Sequence, residues 1–316
     1  MKLGIIGCGN IAHFHLPAMV AVGFEISCIS GRKNGLSTLR KFSKKFNIQN
    51  IYHDSYDLIN HGEWDALLIC CPIQNTIEYL KVAIKYNKPI LAEKPISENF
   101  NDLKSFIKYN NIRVAFNRRF YENMAHAKKF LEINKSSIIK VSIPEISDFK
   151  ESSLKKLPNS SYNNSSHIFD LIIYLGGQIK WKHITKITKN KKYRSILAVG
   201  ETSKKHHIQL DNSYNSSENF SINIISPPKR FELAPIEVAC LYEGMDVKEA
   251  SEELPIRTYR PKLKNQYIEN KYPNYKPGFY NQALDFMNFC KGKKTKSASI
   301  KDTYIALKTI QSLADS

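Results

Sequence analysis

Short apolar runs alternate with stretches of helical spacing along the first 116 residues. Residues 2–6 form an apolar run that stops at Gly7, and residues 24–30 form a second β-rich run. Between them, residues 10–22 place Ile11, Phe14, Ala18 and Val22 near one helical face. Residues 35–46 read as a basic helix, and residues 65–71 (DALLICC) as a nearly continuous apolar run stopped by Pro72. Such a run predicts a central strand of a parallel sheet, buried on both faces. A helix at 75–86, a short strand at 89–92 before Glu93-Lys94-Pro95, a helix at 101–109 and a strand at 112–116 complete the series. The alternation predicts an α/β fold with a doubly wound parallel sheet and a boundary near Arg118, giving domains 1–118 and 119–316.

The second half has a different rhythm. Residues 121–134 read as a helix, and residues 138–143, 184–188, 195–199, 206–210 and 220–225 as strands of period two. Residues 212–219 read as a polar loop, and 255–277, rich in proline, lysine and tyrosine, as an irregular excursion near the sheet edge or the cleft. Two helices, at 280–290 and 301–313, close the chain.

Composition removes several function classes. No apolar stretch approaches the ~20 residues of a membrane span. The apolar run at the N-terminus is too short for a signal peptide and is interrupted at once by Gly7 and Gly9. The six cysteines (Cys8, Cys28, Cys70, Cys71, Cys240, Cys290) show no CxxC pair and no zinc spacing with histidine. They predict a reduced, cytoplasmic protein without a structural metal. His206 and His207 alternate faces on a strand and so cannot share one metal. The formal charge is +18, which admits nucleic acid, an anionic surface or an anionic small molecule as partner. The densest basic stretch, residues 180–194, alternates lysines with apolar residues as a half-solvated strand does, without interleaved aromatics. Neither nucleic acid nor a membrane is expected as a partner.

The sharpest local motif is Gly7-Cys8-Gly9-Asn10-Ile11-Ala12, a GxGxxA between a strand and a helix. Gly7 permits the tight turn, Gly9 lets a pyrophosphate approach the backbone, and Ala12 lets helix and strand pack closely. The pyrophosphate would then meet the positive end of the helix at Asn10 and Ile11. About 20 residues further on, an acidic residue would read the ribose hydroxyls of NAD. This chain has Ser30-Gly31-Arg32-Lys33 instead. Ser30 could donate to a 2′-phosphate, and Arg32 could clamp it, beside Lys33. NADP is favoured over NAD, with NAD kept open.

Further motifs lie in a fixed order. They are His15 after the glycine turn, Cys71-Pro72 closing a strand, Glu93-Lys94-Pro95, Asn117-Arg118-Arg119-Phe120, and His167-Ile168-Phe169-Asp170 followed by LIIYLGG. With the opening GIIGCGNIAHFHLPAM and the final two helices, they make the chain resemble the Gfo/Idh/MocA family, the relatives of glucose–fructose oxidoreductase and inositol dehydrogenase. The resemblance implies a Rossmann domain followed by an α/β domain on a large, open, mostly antiparallel sheet. It implies an active site in the cleft between them, a last helix packing back on the first domain, and a homodimer or homotetramer. It also implies a cis bond before Pro95, and adds Cys71, Pro72, Glu93, Lys94 and Asn117 to the cofactor contacts.

The activity so implied is hydride transfer between a nicotinamide and a hydroxyl or keto group of a sugar, nucleotide sugar or cyclic polyol. Oxidation of an alcohol needs a base near neutrality, which His167 offers. Lys94 would hydrogen-bond the reacting oxygen, and Asp170, three residues after His167, would orient the imidazole. Asn163 and Arg119 would bind substrate beside Lys94 and His167, the arginine meeting a carboxylate or phosphate; its alternative is a surface charge at the domain junction. His15 is expected to pack or cap. Three departures stand out: Asn163 replaces the aspartate of the best-known members, PNSSYNNSSH lacks the usual glycines, and Thr76 stands where the family has histidine. They leave open a second reading, a non-catalytic dinucleotide-binding regulator or assembly partner.

Overall fold

The computed structural model describes residues 1–31, 35–146, 157–189 and 192–315. Two compact units make up the chain: Met1–Phe120 with Lys271–Lys308, and Tyr121–Asn270 with Thr309–Ser316. In the first unit, strands β1 (Lys2–Ile6), β2 (Glu25–Ser30), β3 (Asn50–Tyr52), β4 (Ala66–Ile69), β5 (Ile90–Ala92) and β6 (Ile112–Val114) form one parallel sheet in the order β3-β2-β1-β4-β5-β6. This is the doubly wound order in which ligands lie beyond the carboxyl ends of the strands. All four residues of β4 are buried, which is why its sequence runs apolar without alternation.

The helices between these strands are α1 (Ala12–Ala21), α2 (Leu36–Lys45), α3 (Ser55–His61) and α4 (Ile73–Ala83). The pair β3–α3 was not foreseen. Its local signal is Asp54, whose carboxylate accepts from the Tyr56 N–H at 2.6 Å and caps α3. The helix expected at 101–109 is instead a 3-10 segment, Phe100–Phe106, opened by the Asn99 side chain accepting from Asn101 N–H.

The second unit begins with α5 (Glu122–Ile133), β7 (Ile138–Ser142), α6 (Asn159–Asn163) and α7 (Ser166–Gly176). Strands β8 (Ile179–Lys189), β9 (Lys192–Thr202), β10 (His207–Ser213), β11 (Ser221–Ser226), β12 (Lys229–Leu233), β13 (Val238–Lys248) and β14 (Thr258–Ile268) follow. They build an eight-stranded sheet in the order β14-β13-β12-β11-β7-β10-β9-β8, antiparallel except for β7 against β10. Buried residues such as Ile139, Val141, Ile208, Leu210, Ile222 and Ile224 alternate along the strands with more exposed ones. Phe130 of α5 packs on Phe231 of β12. The irregular excursion expected at 255–277 is corrected: Thr258–Ile268 is an eleven-residue strand, nine residues of which pair with β13. None of its residues is buried, so it carries no apolar alternation to read, and Pro261 is tolerated because β14 is an edge strand. Strands β12 and β13 were likewise not foreseen.

The chain returns to the first unit with α8 (Phe279–Cys290) and the start of α9 (Ile300–Asp315). Phe279, Ala283, Phe286 and Met287 of α8 join the core of Leu16, Met19 and Phe24. Between the helices, Asp285 accepts from Lys296 N–H at 2.9 Å, Ser297 N–H at 3.2 Å, the Ser297 hydroxyl at 2.8 Å and the Thr295 hydroxyl. Ser299 and Asp302 form a reciprocal capping box on α9, and Ala298 covers the open edge of β6 by accepting from Val114 N–H. Asp285→Ala is expected to cost about 2–3 kcal/mol, since it strips a charged acceptor from several donors. A urea unfolding midpoint indistinguishable from wild type would refute this.

Candidate active site

At the carboxyl end of β1 the chain turns at Gly7, whose φ is +104°. A Cβ there would lie 2.4 Å from the Cys70 carbonyl oxygen, so no side chain fits without moving backbone. Gly9 differs: a Cβ would meet nothing within 4 Å. Its bareness serves space outside the protein's own packing. The N–H groups of Gly9, Asn10 and Ile11 find no acceptor among the described residues, and α1 has neither a side-chain cap nor an acidic residue in its first turn. The positive helix end is therefore left for an external anion. Beside it lies a cavity of about 390 Å³ walled by Gly7, Cys8, Gly9, Ser55, Cys71 and Pro72, among others. A dinucleotide pyrophosphate fits this arrangement.

The ribose-reading residues fall less simply. Ser30 is fully buried, and its hydroxyl pairs with that of Ser55 at 2.9 Å. Of the two, Ser55 lines the cavity, a residue the motif had not singled out. Arg32 and Lys33 lie outside the described residues.

Glu93, Lys94 and Asn117 follow the carboxyl ends of β5 and β6 and are not among the residues that wall the cavity. His15, 1% exposed, packs edge-on against Phe279 and pairs its Nε2 with Glu93 Oε1 at 2.6 Å. Glu93 Oε2 accepts from Lys94 N–H at 3.1 Å. His15 therefore fixes, from α1, the turn that carries the half-buried Lys94, and the Lys94–Pro95 bond is cis. Burial pushes the Cys70 thiol well above its usual value, with Glu93 adding to the shift, so this cysteine is an inert wall. Thr76 is buried with its hydroxyl 3.6 Å from Cys71 Sγ. Asn117 donates to the Pro277 carbonyl at 3.0 Å. The surface-charge alternative for Arg119 is corrected: the side chain is buried, donates to the Lys296 carbonyl and lies 3.7 Å from Asp302.

In the second unit, His167 and Asp170 lie in the first turns of α7, 7% and 1% exposed, three residues apart and so on one helical face. Asn163 ends α6 and is exposed. Ser161 pairs with the Tyr214 hydroxyl at 2.8 Å, and the Tyr162 hydroxyl donates to Gln311 at 2.5 Å. Ser165 donates to Glu145 at 2.6 Å. Sequence reasoning missed Glu145, Tyr214 and Gln311, since nothing local marks a side chain whose partner lies 20 or more positions away.

His206 is buried and His207 exposed, and no group of three or more metal-ligating side chains occurs among the described residues. Burial pushes the His206 imidazole below its ordinary value of 6.5, helped by Lys204, Lys135 and His207. The folded state holds this ring neutral while the unfolded chain protonates it, so stability is present above pH 6.5 and is lost as pH falls towards the lowered folded value. Between pH 7 and pH 5, the urea midpoint of wild type is expected to fall more steeply than that of His206→Gln; parallel slopes would contradict the assignment.

The sequence pattern of an oxidoreductase family with an NAD-binding Rossmann fold, GFO_IDH_MocA, matches residues 1–113. The myo-inositol 2-dehydrogenase of Thermotoga maritima is 24% identical over 190 residues, 56% of this chain and 55% of that protein. Residues 1–113 thus carry the NAD-binding Rossmann pattern of the Gfo/Idh/MocA family. The match spans about half the length of that relative. Across whole chains the protein shares the fold of levoglucosan dehydrogenase in complex with NADH and levoglucosan, with a TM-score of 0.74 at 16% identity, covering 100% of this chain and 96% of that one. The scyllo-inositol dehydrogenase of Lactobacillus casei with bound NAD(H) and scyllo-inositol gives a TM-score of 0.69 at 16% identity, covering 98% and 94%. No helix among the described residues is long and apolar enough to cross a membrane.

Proposed function

We propose that this protein is a member of the Gfo/Idh/MocA family and an NAD(P)-dependent oxidoreductase acting on a hydroxyl or keto group of a sugar, nucleotide sugar or cyclic polyol. The carrying observation is Gly9, whose missing side chain opens onto uncapped N–H groups at the start of α1 rather than onto protein. Gly7, Gly9, Asn10, Ile11 and Ala12 would hold the pyrophosphate, with Cys71 and Pro72 on the facing wall. Bound there, a nicotinamide supplies hydride acceptance or donation.

The chain supplies the proton chemistry. Lys94 donates a hydrogen bond to the reacting oxygen and stabilises the charge that develops on it. His167 takes the hydroxyl proton during oxidation and returns it during reduction. Asp170 orients the imidazole. Asn163 binds a substrate hydroxyl but cannot itself accept the proton. The dinucleotide of choice is NADP, on the absence of an acidic residue after β2 and the presence of Arg32 and Lys33. The net charge of +18 favours an anionic substrate. The six cysteines, none of them in a disulfide, support a cytoplasmic, reducing setting, and the apolar residues on the open sheet face, Leu197 and Val199 among them, support a homodimer or homotetramer.

Calorimetry with each dinucleotide, then absorbance at 340 nm with a panel of inositols, levoglucosan, free sugars and nucleotide sugars, tests the proposal. NADP is expected to bind about ten-fold or more tighter than NAD, from one charge-assisted clamp, and a preference for NAD would overturn that choice. Failure to bind either dinucleotide would end the oxidoreductase reading. Tight binding without turnover of any panel member would favour a non-catalytic regulator.

A further inference from the structure

Glu145 has no place in the chemistry above, yet it is 5% exposed and lies at the base of the segment that carries Asn163 and His167. Its backbone is held from two sides: its N–H donates to the Ile143 carbonyl at 3.0 Å, and its carbonyl accepts from Asn215 N–H at 2.8 Å. Its side chain is spent on the turn between α6 and α7. One oxygen accepts from the Ser165 hydroxyl at 2.6 Å, the other from the Asn164 amide at 3.4 Å.

Ser165 precedes α7 at the position where serine normally caps a helix, yet its hydroxyl caps no backbone N–H. That local bond, worth about 1 kcal/mol in ordinary helices, is given up in favour of Glu145. The Asn164 carbonyl accepts from His167 N–H at 3.2 Å, and the Ser166 hydroxyl donates to the Asn163 carbonyl at 2.6 Å. Two hydrogen bonds thus lead from the carboxylate to the His167 backbone. Helix α6 has only five residues, too few to persist alone. It contains no glycine, and side-chain bonds hold it in shape.

We propose that Glu145 is a positioning residue: through Ser165 and Asn164 it sets the turn that presents Asn163 and His167 to the substrate. The proposal rests on the oxidoreductase reading for the word substrate, and on hydrogen bonds within one unit for the rest.

The test uses the full chain labelled at histidine nitrogen, the His167 imidazole cross-peak being assigned with His167→Gln. In Glu145→Ala and in Ser165→Ala the cross-peak is expected to shift or broaden while affinity for NADP and NAD stays unchanged. With a substrate from the panel, kcat in Glu145→Ala is expected to fall on the order of 100-fold at unchanged KM for the dinucleotide, the cost of an ångström-scale misplacement. Glu145→Gln, which keeps an acceptor for Ser165, should restore most of it; a merely structural loss would instead track stability in all three variants. Folded Ser165→Ala with an unmoved cross-peak overturns the proposal, and decides it even where Glu145→Ala fails to fold. A moved cross-peak in a protein whose wild type turns over no panel member supports the positioning role and sinks the oxidoreductase reading, so the two failures are separable.

Discussion

Alanine at Gly9 is expected to leave folding untouched and to lower dinucleotide affinity by on the order of 100-fold. The expectation follows from what surrounds the position. A Cβ at Gly9 meets nothing within 4 Å, so the folded chain loses no packing. The new methyl instead occupies the approach to the N–H groups of Gly9, Asn10 and Ile11, and displacing an anion from such donors forfeits about 1.5–3 kcal/mol per charge-assisted bond. Gly7 should behave in the opposite way. At φ +104°, with a Cβ 2.4 Å from the Cys70 carbonyl oxygen, alanine there is expected to cost about 2–4 kcal/mol of stability, from backbone strain and overpacking together. Urea unfolding and dinucleotide calorimetry on both variants separate the roles. A Gly9→Ala protein that binds NADP or NAD as wild type does would remove the observation on which the proposed function stands.

The second large effect concerns turnover. Lys94→Ala and His167→Ala are each expected to lower kcat by about 100- to 10,000-fold, the range over which a positioned proton donor or acceptor contributes, with dinucleotide affinity retained. Retention matters because the cavity wall includes Gly7, Gly9, Cys71 and Pro72 but neither of these two side chains. His167→Asn should not rescue, since an amide cannot take a proton at neutral pH. Lys94→Arg should rescue poorly, since the guanidinium is wider and rigid. Wild-type kcat in either alanine variant would send the chemistry to other residues.

His15 illustrates how far local reasoning reaches. Its sequence position on α1 allowed packing or capping; its partner, Glu93, lies 78 residues away and could be paired with it only in three dimensions. Arg119 shows the same limit from the other side. An arginine after the last parallel strand reads as a ligand or a surface charge, and the returning C-terminal segment buries it beside Lys296 and Asp302. Ser30 followed the motif's spacing correctly to the end of β2, but its hydroxyl is turned to Ser55, which lines the cavity in its stead.

Periodicity and motif spacing alone determined the alternating strands and helices of the parallel sheet and the glycine turn before α1. Each of these is set by neighbours within a few residues: a strand buried on both faces must be apolar throughout, and a turn at positive φ selects glycine. Only the tertiary structure decided the β13–β14 pairing, the return of Lys271–Lys308 to the first unit, the burial of Arg119, and the Glu145 anchor beneath α7. Their hydrogen bonds and contacts join residues far apart in the chain, where the energy depends on which surfaces meet and no local pattern need record it.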